Sequence, residues 1–133
     1  MIMDFKDKMK TDKNKSFLES LKHALNGIQT VFKEERNMTY HVSFSLLTLL
    51  AAWFFKINQT EWLFVLTAIF LVFITEVINT CFENLVDLVT NHTYHEIAKK
   101  VKDMAAGAVL LAACFAVIVG LIIFLPKLWH LIA

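Results

Sequence analysis

Three carboxylates, Glu76, Glu83 and Asp87, lie inside FITEVINTCFENLVDLV, Phe73 to Val89, a stretch with the length and apolarity of a membrane span. On insertion scales a carboxylate at the bilayer centre costs at least about 2.5 kcal/mol, so acids kept in such a stretch need a chemical reason. At about 100° per residue the three fall within roughly 40° of one another, with Asn79 and Thr80 on either side. Val77, Ile78, Phe82 and Leu85 occupy the opposite face, so the polar stripe must meet neighbouring helices or a water-filled cleft rather than lipid. Acids grouped in this way suit Mg²⁺, which is held by one or two carboxylates together with substrate phosphates. A deeper, nearly dry carboxylate suits a second task, taking the proton of an alcohol as a general base.

The elements that position these groups are helices in a membrane. Of 133 residues, 57% are hydrophobic, and the mean hydropathy is +0.56, outside ordinary soluble composition. Met104 to Leu125 is uncharged for 22 residues, enough to cross the bilayer. Val42 to Phe55 is uncharged for 14 residues and becomes long enough if Met38 to His41 continue the helix. Trp62 to Thr75 is also uncharged for 14 and needs the acidic stretch to complete its crossing. The expected fold is therefore all-α and integral to the membrane, with three transmembrane helices at about 37–55, 62–88 and 104–125.

An amphipathic surface helix over residues 16–34 is expected to precede them, because Phe17, Leu18, Leu21, Leu25, Ile28 and Phe32 recur at helical spacing opposite Glu19, Lys22, Asn26 and Gln29. Residues 1–15, rich in Lys and Asp, read as a flexible cytoplasmic tail without a signal peptide, and residues 16–133 as one domain. Residues 1 to 36 hold eight Lys and Arg, Lys56 to Glu61 one, Val89 to Asp103 three and the segment after Leu125 one. Alternate segments thus place the N-terminus in the cytoplasm and the C-terminus outside, in a cell membrane. Cys81 and Cys114 read as packing residues without a disulfide, and Pro126 as the end of the last helix.

If the second span enters from outside at Trp62, Glu76 comes about 21 Å down, roughly 9 Å short of the cytoplasmic edge, with Glu83 at that edge and Asp87 beyond it. Glu34, Glu35 and Arg36 precede the first span and Lys99, Lys100, Lys102 and Asp103 the third, so one layer collects acids, lysines and amides. Phosphoryl transfer to a lipid hydroxyl needs such parts: a base, a metal bridging the donor phosphates, and a cation for developing charge. A soluble-type nucleotide cradle is excluded, since the three glycines form no GxxxxGK[ST] pattern. His92 and His95 fit loop positions better than a zinc site, and the net charge of +1 gives no sign of a nucleic-acid partner. Alternatives stand beside each residue: Glu76 and Asn79 as an interhelical pair, Glu83 and Asp87 as solvated helix-end acids, Lys102 as a topology signal.

These residues resemble the small prokaryotic diacylglycerol kinase and undecaprenol kinase family from about Ser16 to Leu125. The most specific parts are EVINTxxENxVD, Glu76 to Asp87, and AKxxKDMAAGAV, Ala98 to Val109; EERNMTYH, Glu34 to His41, is similar to the Gram-positive branch, where undecaprenol is the usual acceptor. The resemblance implies a homotrimer of three-span subunits that phosphorylates a lipid alcohol with MgATP at sites shared between subunits. It implies Glu76 as catalytic base and Glu35 and Glu83 as Mg²⁺ ligands, with ATP also contacted by Tyr94, His95, Lys102 and Asp103. Asn79 matches the amide beside the base, and Asp87 and Glu34 are expected to support the site. Ser16 stands where the Gram-negative branch has an arginine, a departure that points away from diacylglycerol.

The expected function is thus an integral-membrane lipid kinase making undecaprenyl phosphate, with diacylglycerol as the alternative acceptor. A proton-coupled transporter subunit is the rival from another class, because a membrane-embedded Glu also serves proton relays. Lysines and further acids gathered at one interface favour the kinase.

Overall fold

The computed structural model describes residues 17–133, so the expected tail and Ser16 lie outside the described residues. Four helices follow in order: α1 (Phe17–Glu34), α2 (Arg36–Phe54), α3 (Gln59–Thr90) and α4 (Glu96–Ile132). Apolar residues on one face of α1 are exposed in the single chain, and Val31 alone on this helix is buried. Glu35 breaks the helix with extended backbone, φ −103° and ψ 112°, and its carbonyl accepts from the Met38 N–H at 3.2 Å. Met38, 1% exposed, seats the start of α2.

Helices α3 and α4 are long and apolar enough to cross a membrane. At 1.5 Å per residue their 32 and 37 residues run to about 48 and 56 Å, well beyond a hydrocarbon core of about 30 Å. Their ends therefore project into the interface or water, and apart from Glu76 the charged residues of both helices lie toward those ends. Helix α2 is 19 residues long but falls short of the same hydropathy standard because its first half carries Asn37, Thr39, His41, Ser43 and Ser45. Two of its hydroxyls are satisfied within the helix: Ser43 donates to the Thr39 carbonyl at 2.9 Å and Thr48 to that of Phe44 at 2.8 Å.

Helices α3 and α4 pack along their length as a hairpin, and α2 leans on α3. Their apolar core, Ala52, Ile57, Val65, Ala68, Val119 and Ile123, gathers at the end where α2 turns into α3. Small residues here let the helices approach closely, and the Phe55 and Phe124 rings close the layer at 6.1 Å between centroids. The turn is pinned by a capping box, in which Glu61 N–H donates to Asn58 Oδ1 at 3.0 Å and Asn58 N–H to Glu61 Oε2 at 2.9 Å. Asn91 ends α3 in the left-handed region, φ 50°, which asparagine tolerates better than most residues.

One correction concerns Pro126. The sequence reading stops the last helix there, whereas α4 continues to Ile132. Proline removes one backbone donor but leaves the following turns free to form. Beyond it, Lys127 Nζ lies 2.9 Å from Glu61 Oε1, tying the added turns to the start of α3. A second concerns the cysteines: Cys81 and Cys114 are free, but both are exposed on the single chain instead of packed inside it.

Candidate active site

Opposite the apolar core, the polar stripe of α3 separates into two adjoining groups. The inner group is built on Glu76, Asn79 and Thr80, which are 1%, 6% and 2% exposed, while Ile78, Phe82 and Leu85 on the far face remain exposed. The helical period turns the acids inward as the sequence requires. Thr80 Oγ1 donates to the Glu76 carbonyl at 3.0 Å, so this hydroxyl is used up within the helix. Asn79 Nδ2 donates to Glu83 Oε1 at 3.2 Å, which leaves Asn79 Oδ1 buried without a donor. Glu76 Oε1 is also buried without a partner, and Glu76 Oε2 faces His41 Nε2 at 3.8 Å.

Glu35, at the break between α1 and α2, completes this group. Its carboxyl is held above the ordinary value of 4.5 by desolvation first, then by the charges of Glu83, Glu76 and Glu34. Acceptor oxygens without donors and acids that repel one another are the signature of a place that a cation would relieve. Among the described residues no three His, Cys, Asp or Glu side chains stand in a metal-holding arrangement. Glu34 is oriented by Asn84, whose Nδ2 donates to Glu34 Oε2 at 3.2 Å.

The outer group surrounds an open cleft of about 590 Å³ where the α3–α4 connection meets both helices. Asp87, Tyr94, His95, Lys102 and Asp103 all line it, joined by His92 and Lys99. Lys102 Nζ donates to Asp87 Oδ1 at 2.6 Å across the two helices, which fixes the ammonium at the cleft wall. Asp103 is taken by Lys99 at 2.6 Å, and His92 Nδ1 lies 3.7 Å from Asp87 Oδ2. His95 has a local task as well. It caps α4, with Nδ1 accepting from the Ile97 N–H at 3.2 Å, and Tyr94 beside it is 81% exposed.

Chemically, a dry carboxylate with one unengaged oxygen shares α3 with a cation-lined cleft, about 15 Å along the helix from Glu76 to Val86. One helix thus carries an acceptor for a proton and a wall of the cleft suited to a charged group. Sequence reasoning gives no role to His41 or Asn84, and places Lys99 in the charged layer ahead of the third span without assigning it a partner. The only sign for His41 is an imidazole among the amide and hydroxyl side chains of the first half of α2.

A sequence model of the prokaryotic diacylglycerol kinase family matches residues 22–124. The chain belongs to that family. It is 38% identical over 112 residues to undecaprenol kinase of Bacillus subtilis, covering 84% of this chain and 90% of that protein. It is 39% identical over 116 residues to diacylglycerol kinase of Synechocystis, covering 87% of this chain and 66% of that protein. With diacylglycerol kinase of Helicobacter pylori J99 the identity is 30% over 112 residues, 84% of this chain and 87% of the relative. The resemblance carried by the Glu76–Asp87 and Ala98–Val109 motifs is thereby borne out, and the chain is a membrane lipid kinase. A transporter role gives way to this reading.

Proposed function

We propose that this kinase transfers the γ-phosphate of ATP to the hydroxyl of undecaprenol, with Glu76 as general base. The observation that carries the proposal is the partnerless, buried Glu76 Oε1 on the same helix whose Val86, Asp87 and Thr90 line a cleft with lysines on its wall. In the proposed step, Oε1 takes the hydroxyl proton, the hydroxyl oxygen bonds to the γ-phosphorus, and the bond from that phosphorus to the β–γ bridging oxygen breaks, releasing ADP. Glu35 and Glu83 are the proposed Mg²⁺ ligands, and the ion would neutralise charge on the donor phosphates. Lys102, Asp103, Tyr94 and His95 are proposed to hold the nucleotide in the outer cleft. Asp87 orients Lys102, Asn79 orients Glu83, and Glu34 supports Glu35 from the end of α1.

Undecaprenol is favoured as acceptor by identity and coverage together, 38% across 90% of the Bacillus subtilis protein, against 39% across only 66% of the Synechocystis one. The test is parallel: purified protein is given labelled ATP with undecaprenol or diacylglycerol in detergent micelles. Undecaprenol is expected to give the higher kcat/KM, and a preference for diacylglycerol would overturn the assignment.

The proposed assembly is a homotrimer of three-span subunits, with α2 as the third crossing and α1 lying in the cytoplasmic interface. Exposed apolar faces on α2 and α4, including Leu46, Leu47, Leu50, Leu111, Ile118 and Ile122, suit lipid and neighbouring subunits. With Cys81 and Cys114 changed to serine, an impermeant thiol reagent is expected to label Gln59→Cys on intact cells and His92→Cys only after lysis. The reverse pattern would put the nucleotide cleft outside the cell.

A further inference from the structure

The two carboxylate oxygens of Glu76 differ. Oε1 has no partner, whereas Oε2 faces His41 Nε2 at 3.8 Å, and among the described residues this is the one ion-pair contact between α2 and α3. The two side chains are unequally wet, 21% exposed for His41 and 1% for Glu76. His41 lies at the polar end of a narrow groove of about 150 Å³ between α2, α3 and α4. On the α4 side that groove is walled by Ala116, Val119, Gly120 and Phe124, and on α3 by Val65, Ala68, Ile69 and Val72. Among the residues that line the groove His41 is the one titratable side chain, while Glu76 approaches the imidazole from α3 and is itself close enough to Glu35 at the α1–α2 junction for its charge to raise that carboxyl.

An imidazole in a helix proposed to cross the bilayer is expensive unless it is paired or functional. At 3.8 Å the contact is longer than a hydrogen bond, but catalytic hydrogen bonds that are long in a substrate-free enzyme tighten when the reacting complex forms. A carboxylate used as a base must also present one lone pair in a fixed direction, and misplacement by about 1 Å can cost 10²-fold in rate. Resting on the reading of Glu76 as base, we propose that His41 is the positioning residue of Glu76: its Nε2–H fixes Oε2 and leaves Oε1 turned to the lipid hydroxyl. The proton taken from the substrate then resides on Oε1, and His41 touches neither nucleotide nor metal.

Three variants test this in the full-length protein. His41→Leu removes the donor and is expected to lower kcat by about 10-fold or more, with the KM for MgATP within about twofold of the wild type. His41→Gln places an amide N–H near the position of Nε2 and is expected to recover most of the lost turnover. Because His41 acts through Glu76, adding His41→Leu to Glu76→Gln is expected to cause no further loss. Wild-type turnover in His41→Leu, with Glu76→Gln inactive, would overturn the role of His41 while leaving the base in place. Equal losses in the leucine and glutamine variants would overturn the donor role. Normal turnover in Glu76→Gln would remove the base, and this inference with it.

Discussion

Glu76→Gln is expected to reduce lipid phosphorylation by about 10²-fold or more while leaving nucleotide binding almost unchanged. Glutamine keeps the shape of the side chain and can still accept from His41 or donate to a neighbour, but its amide cannot take a proton. The structure makes the accompanying stability effect predictable. Glu76 is 1% exposed and Oε1 has no partner, so its charge is poorly compensated, and a neutral amide is cheaper in that position. Thermal unfolding in detergent is therefore expected at the same temperature or higher. If Glu76 served only to join helices, the same variant would keep its turnover. Measuring initial rates, MgATP affinity and unfolding on one preparation separates the two roles, and near-normal turnover would refute the base.

Glu35→Gln and Glu83→Gln are each expected to raise the Mg²⁺ concentration needed for half-maximal rate by about tenfold or more, since each removes one of only two protein carboxylates proposed for the ion. The residues come from different elements, the α1–α2 break and the last quarter of α3, yet their charges are close enough for Glu83 to raise the Glu35 carboxyl. The sign of the pH dependence follows. With its folded value above the ordinary 4.5, Glu35 favours the folded state when protonated. That contribution is complete below 4.5 and is lost as pH rises through the elevated value, where the ionised group is repelled by its neighbours. Metal-free protein should accordingly lose stability over that rise, and added Mg²⁺ should restore it. Glu35→Gln should remove both effects, and unaltered metal dependence in both variants would sink the ligand assignment.

The legible part of this protein was whatever depends on local spacing. A helical period of about 100° per residue turns Glu76, Asn79, Thr80 and Glu83 to one side whatever the neighbours are, so the inward face of α3 could be read directly. The long apolar runs that become α3 and α4, and the motifs that identify the family, are likewise contiguous in the chain. The Asn58–Glu61 capping box is equally local, but the Lys56 to Glu61 segment is read only for its charge.

Contacts between distant residues were decided by tertiary structure alone. Asp87 and Lys102 are joined at 2.6 Å because the α3–α4 connection folds back with a particular length, and Asn84 reaches Glu34 because α1 returns beside α3. The Lys99–Asp103 pair differs from these, because it follows from i,i+4 spacing on α4 alone. Helix α4 passes Pro126 because Lys127 finds Glu61 on the neighbouring helix, a partner that no rule about proline contains. His41 is the sharpest case. In sequence it is one of several polar residues in the first half of α2, and its meaning depends on the side of α3 against which α2 rotates, which packing sets and periodicity does not.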